Sequence, residues 1–156
     1  MKKITPFLWF NKDAEKAAKF YVSVFKKGKI GRIGRYSEGA PAPAGSVMTV
    51  EFSLCGQDFV ALNGGPQFKF TEAISFVVNC ATQREVDYYW KKLSSGGKVI
   101  CCGWLKDKFG VTWQIVPNVL LELMCGKDRA KAARVNQAMM KMIKLDIKGL
   151  KAAARG

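Results

Sequence analysis

Histidine is absent from the 156 residues, and that removes both the commonest general base near neutral pH and the commonest transition-metal ligand. No pair of cysteines has C-x-x-C spacing, so a structural zinc site or a thioredoxin-like dithiol is not expected. The five cysteines form an odd set, which points to reduced thiols rather than a disulfide framework. No apolar run approaches the ~18 residues a membrane span needs. Pro6, Asn11, Lys12 and Asp13 interrupt the apolar stretch that the basic start Met1-Lys2-Lys3 would need to act as a secretory signal, so a cytoplasmic protein is expected. Acid is scarce, with 12 Asp and Glu against 26 Lys and Arg. The excess is uneven: residues 1–36 carry ten bases and two acids, 37–126 seven and eight, and 127–156 nine and two. A nucleic-acid groove would concentrate that charge on one face with aromatics interleaved, so nucleic acid is disfavoured as a partner and general surface basicity is expected.

The chain does contain a plan repeated twice. Ile4 to Phe10 reads as a strand, and Asp13 is placed to cap a helix with Ala14, Ala17, Ala18, Tyr21, Val22 and Phe25 on one face. Strands are predicted over Ile30 to Ser37, Val47 to Leu54 and Gln57 to Leu62, with a Pro- and Gly-rich loop at Glu38 to Gly45 and a tight turn at Cys55-Gly56. The second copy opens with Ala73 to Cys80. Thr82 and Glu85 form a capping box for a helix through Leu93, and strands are predicted over Val99 to Gly103, Trp104 to Lys106 and Val111 to Val116. Each half is β-α-β-β-β. The end turns helical, over Asn118 to Met124, Asp128 to about Met142, and Asp146 onward. A unit that cannot bury its own apolar face pairs with its copy, so a pocket is expected at the seam. The expected organisation is a domain over 1–126, with modules at 1–66 and 73–117 and a linker at 67–72, followed by a basic helical extension over 127–156.

The segments ITPFLWF, FYVSVF, GSVMTVEFSLCGQDFVALNGGP, VNCATQREVDYYW and CGWLKDKFGVTWQIVP, spanning roughly residues 3 to 125, resemble the PhnB-like branch of the glyoxalase, or vicinal-oxygen-chelate, superfamily, whose members often carry the name demethylubiquinone methyltransferase. The resemblance implies an α+β fold of paired βαβββ modules forming a cup-shaped mixed sheet, with the C-terminal helices added. It implies a homodimer that takes a small-molecule ligand or substrate. It also places four metal-ligand positions near Pro6, at Glu51, near Ala73 or Ile74, and at Gln114. Only Glu51 and Gln114 could ligate, so no metal is expected. Methyl transfer from S-adenosylmethionine would need a Gly-rich turn between a strand and a helix. Neither Gly28 to Gly31 nor Asn63 to Pro66 has that context, so no cofactor is expected.

Glu51 shares the polar face of its strand with Thr49 and Ser53. A partly shielded carboxylate there would have a raised pKa and serve as general base, or it would be a structural carboxylate bonded to Arg32, Arg35 or Gln114. Gln114 and Thr112 would orient a polar ligand. Trp9 and Trp104 are candidates to line an apolar site, and Asn63 with Gly64-Gly65 either presents N–H groups or makes a turn. Trp113, by strand parity with Gln114, belongs to the core. Cys101 and Cys102 read as buried strand cysteines. Lys131, Arg134, Gln137, Lys141, Lys144, Lys148, Lys151 and Arg155 recur as one helical face that is either solvated or meets RNA or an anionic membrane. Three functions stay open: an enzyme using Glu51, a non-catalytic protein that sequesters an apolar compound, and a nucleic-acid-associated protein.

Overall fold

A computed structural model describes residues 3–156; Met1 and Lys2, the first two residues of the basic start, lie outside the described residues. The chain folds as two compact units, Met1–Phe70 and Thr71–Gly156. The first runs β1 (Phe7–Phe10), α1 (Ala14–Val24), β2 (Lys29–Arg35), β3 (Val47–Leu54) and β4 (Gln57–Asn63). The second runs β5 (Phe76–Cys80), α2 (Gln83–Ser94), β6 (Lys98–Val99), β7 (Trp104–Lys106) and β8 (Thr112–Pro117), then α3 (Asn118–Met124), α4 (Arg129–Met140) and α5 (Ile147–Arg155). The duplication is also one of topology. The sheet orders are β1-β4-β3-β2 and β5-β8-β7-β6, each with one parallel pair between the first and last strands and antiparallel pairs elsewhere. The fold is α+β, built from two four-stranded mixed sheets with helices at the C-terminus.

In the first unit, alternation in β3 sends Val50, Phe52 and Leu54 to the buried face and leaves Thr49, Glu51 and Ser53 half-buried on the other. The buried face receives Ala14, Ala17, Ala18, Tyr21 and Val24 of α1. Small residues on the helix let it lie close, so that Tyr21 stacks on Phe52 at 6.0 Å and Phe52 on Phe59 at 5.1 Å. The start of α1 differs from expectation. The Asp13 side chain makes no capping bond; the first helical N–H, that of Ala14, donates instead to Asn63 Oδ1 at 2.8 Å. A residue 49 positions away, at the end of β4, therefore caps this helix.

In the second unit α2 buries Val86 and Leu93, and the core includes Val78, Cys80, Leu105, Trp113 and Ile115. Thr82 Oγ1 accepts from the Glu85 N–H at 3.3 Å, as the capping box predicts. Trp113 is buried and donates to Asp107 Oδ2 at 2.8 Å. The strand expected over Val99 to Gly103 is only two residues long. The Trp104 N–H bonds back to Cys101 O at 2.9 Å, and Cys102 and Gly103 both have positive φ, 54° and 83°, so the chain reverses there in a type I′ turn. Cys101 is consequently exposed and Cys102 half-buried, rather than buried in a strand.

The helices after β8 close over a small core of Val116, Leu120, Val135, Leu145 and Leu150. The basic stripe is not one helical face, because α4 and α5 are separate helices with a break between Met140 and Ile147. Two of its members are engaged: Arg134 donates to the C-terminal carbonyls of α5 at Ala153 and Ala154, and Lys144 pairs with Asp87. No helix is long and apolar enough to cross a membrane among the described residues.

Candidate functional site

β2 carries the repeat Ile30-Gly31-Arg32-Ile33-Gly34-Arg35, and its pairing with β3 is irregular. Ile30 faces Phe52 and Ile33 faces Val50, so Gly31 and Arg32 together oppose the single residue Glu51. That two-against-one bulge changes which way Arg32 points. Gly31 suits the bulge because a Cβ there would sit 3.1 Å from Glu51 Cβ. Arg32 then reaches Glu51 with two parallel hydrogen bonds, Nε to Oε2 at 3.1 Å and Nη2 to Oε1 at 2.8 Å.

This ion pair lies in a cavity of about 360 Å³ on the polar face of the first sheet, lined also by Thr5, Lys29, Ser53, Asp58 and Val60. Two cationic and two carboxylate side chains thus share a wall with the apolar Ile30 and Val60. The Arg32 guanidinium, chiefly through its hydrogen bonds, holds the Glu51 carboxyl below the usual range, and Glu51 in turn raises Arg32. Of the two readings open for Glu51, the structure has the carboxylate bonded to Arg32 rather than the shielded one with a raised pKa: the paired guanidinium outweighs desolvation at a side chain that keeps 34% of its exposure.

The other predicted residues take different positions. Thr49 packs beside Gly34, whose Cβ would come within 2.5 Å of Thr49 Oγ1. Asn63 is committed to structure, accepting from Ala14 N–H and donating to Val47 O at 3.0 Å, while its own carbonyl accepts from Tyr36 Oη. It lies in the wall of a second hollow of about 620 Å³ between the start of α1 and the Pro-rich loop. Trp9 is fixed as well. Its Nε1 donates to Gly65 O at 2.9 Å, its ring meets Phe68 edge-on, and Gly64 lies flat against the indole. A Cβ at Gly64 would fall 2.4 Å from that ring, so Gly64→Ala is expected to destabilise by about 1–3 kcal/mol, read by urea denaturation.

In the second unit Gln114 sits between Val77 and Trp104 in the sheet register and donates to Ser75 Oγ at 2.9 Å. Thr112, opposite Lys106, is fully buried, and its Oγ1 has no hydrogen-bond partner among the described residues. Lys106 pairs with Glu72 at 2.8 Å.

These donors do not fit a divalent metal at Glu51. Both carboxylate oxygens accept from Arg32, a guanidinium cannot ligate, and among the described residues no three His, Cys, Asp or Glu side chains converge. Nor do the glycine turns fit S-adenosylmethionine. Gly28 follows α1 and leads into β2, while Gly64-Gly65 follows β4 into the linker, so neither opens a helix after a strand.

Lys29 and Asp58 are the cavity residues that the sequence reading does not select, whereas Arg32 is one of the partners it offers for Glu51. The Ile-Gly-Arg repeat, which marks a bulge beside a polar strand face, is the signal that favours Arg32 over Arg35.

A model of the 3-demethylubiquinone-9 3-methyltransferase family matches residues 2–116. No curated protein matches the chain. Among solved structures, a PhnB protein from Bacillus cereus described as a putative 3-demethylubiquinone-9 3-methyltransferase is 38% identical, covering 74% of this chain and 99% of that one with a TM-score of 0.68. Protein PA1353 from Pseudomonas aeruginosa is 20% identical over 75% of this chain and 98% of its own, with a TM-score of 0.62. The fosfomycin resistance protein FosX from Listeria monocytogenes, solved with Mn(II) and sulfate, is 17% identical over 74% and 92%, with a TM-score of 0.50, a likeness of fold. The duplicated β-α-β-β-β plan, the family match over residues 2–116 and the identity to the Bacillus cereus protein together show that this chain belongs to the PhnB-like 3-demethylubiquinone-9 3-methyltransferase family.

Proposed function

We propose that the chain is a small-molecule-binding protein of the glyoxalase-like superfamily whose ligand occupies the cavity over the first sheet. The observation that supports this most is the bidentate Glu51–Arg32 pair on the wall of a cavity of about 360 Å³. The cavity's mixture of paired charges and aliphatic surface suits a compact molecule with an apolar body and one polar or charged group. Such a group competes for Arg32 or for Glu51, and the exposed pair can open at little cost. In this reading the protein works in the cytoplasm as a homodimer. The glyoxalase-like domain ends near residue 126, and residues 127–156 are an addition to it, in keeping with a family match that stops at residue 116.

Whether the bound molecule is also transformed turns on Glu51. The carboxylate is ionised at neutral pH, and its depressed pKa makes it a weaker base than a shielded one. Glu51→Gln keeps the shape and removes the charge. For an enzyme with Glu51 as base, it is expected to abolish turnover while leaving the fold intact; for a sequestering protein, the ligand is recovered unaltered from wild type and binds more weakly to the variant. Turnover unchanged in Glu51→Gln would remove Glu51 from any catalytic role. The ion pair contributes little to stability because Arg32 is exposed and Glu51 is only half-buried, and what it contributes is present at neutral pH and lost as pH falls through the lowered carboxyl range.

A further inference from the structure

Two sulfur atoms meet on the second unit, those of Cys102 and Met140, and the thiol of Cys101 is carried by the neighbouring residue of the same turn. Cys101 and Cys102 are neighbours in the β6–β7 turn, the first exposed and the second half-buried. Cys102 Sγ lies 3.8 Å from Met140 Sδ, the last residue of α4. The two segments are held in register by backbone bonds, Cys102 N–H to Met142 O at 2.7 Å and Gly103 N–H to Ile143 O at 2.9 Å. The I′ turn fixes the Cys102 backbone, so the sulfurs are presented by a tied-down hairpin and a helix end. Met140 is 61% exposed and Cys101 is exposed, an unusual setting for a thioether that would ordinarily fill a core gap.

We propose that Cys101, Cys102 and Met140 form a binding site for a soft monovalent metal ion, Cu(I) or Ag(I). Thiolate and thioether sulfur select such ions, and two thiolates with one thioether make a three-coordinate sulfur set. Binding replaces the two thiol protons by one metal ion without any change of oxidation state. The resulting complex carries one negative charge, which the adjacent Lys141 complements. Burial and the neighbouring thiol raise Cys102, which makes it a poor nucleophile and argues against a catalytic role for it.

The test uses full-length protein carrying Cys55→Ser and Cys125→Ser, which removes the two other exposed thiols, titrated anaerobically with the redox-inert Ag(I). The expected result is a one-to-one complex with a displaced Met140 methyl resonance. Cys101→Ser and Cys102→Ser should each lose the complex, and Met140→Leu, which preserves packing, should weaken it. Equal affinity after Cys102→Ser, or a Met140 methyl that does not move at saturation, would overturn the three-sulfur site. Circular dichroism of each variant separates loss of binding from loss of fold.

Discussion

Asp107→Ala is expected to destabilise the second unit by about 3–5 kcal/mol, because one buried carboxylate satisfies three donors at once. Oδ1 accepts from the Phe109 N–H at 2.8 Å and the Val111 N–H at 3.1 Å, and Oδ2 accepts from Trp113 Nε1 at 2.8 Å. Asp107 is 3% exposed, so water cannot replace these bonds without opening the core. The turn Asp107-Lys108-Phe109-Gly110 and the ring of Trp113 are both anchored on it, and β8 begins directly after. Asp107→Asn is expected to cost less, roughly 1–3 kcal/mol: its single carbonyl oxygen can keep the turn, but its NH2 then faces the indole N–H, donor against donor. Thermal unfolding followed by circular dichroism should show the alanine variant melting roughly 6–20 °C lower. A loss under about 1 kcal/mol would mean that the carboxylate is solvated in solution.

Leu145→Ala should cost about 2–5 kcal/mol, the range for truncating a fully buried leucine. Leu145 is 0% exposed, sits in the cluster with Val116, Leu120, Val135 and Leu150, and packs on Gly103, where a Cβ would lie 3.1 Å away. Its carbonyl accepts from Gln83 of α2 at 3.2 Å, and Gln83 Oε1 accepts from the Ile147 N–H at 2.8 Å. The segment between α4 and α5 is therefore bonded to α2 and to the β6–β7 turn. Beyond lower stability, the variant should lose hydrogen-exchange protection at the Cys102 and Gly103 N–H groups, whose acceptors are Met142 and Ile143. Protection retained at those two amides in a destabilised protein would show that the α4–α5 segment does not hold the turn.

Both expectations depend on contacts of different legibility. The Asp107 turn is a local sequence feature, and so are the alternation of β3 and the Thr82–Glu85 box; each needs only a few neighbouring residues to be right. The repeated β-α-β-β-β plan was legible for the same reason, and with it the fold. What the sequence concealed is long-range. Asn63 caps α1 from the far end of β4, which no local rule signals at Asp13, and Leu145 holds a hairpin turn some forty residues earlier in the chain. Helical spacing ran the basic stripe through 141–146, where the chain breaks to bond Cys102 and Gly103. At the candidate site, parity placed Glu51 on the polar face correctly. Which of its two roles holds, shielded base or carboxylate bonded to an arginine, was not readable, because a bulge turns Arg32 onto it.

The most direct test of binding at the first sheet is a titration of 15N-labelled protein with a panel of small aromatic molecules bearing a carboxylate, phosphonate, amine or amide. At least one is expected to move the backbone resonances of Gly31, Arg32, Glu51 and Ser53 together, in a saturable way, and Arg32→Ala or Glu51→Gln is expected to weaken the effect. Saturable shifts confined to the hollow beside Tyr36 and Pro43, or no shifts around Glu51 with any member of the panel, would contradict it.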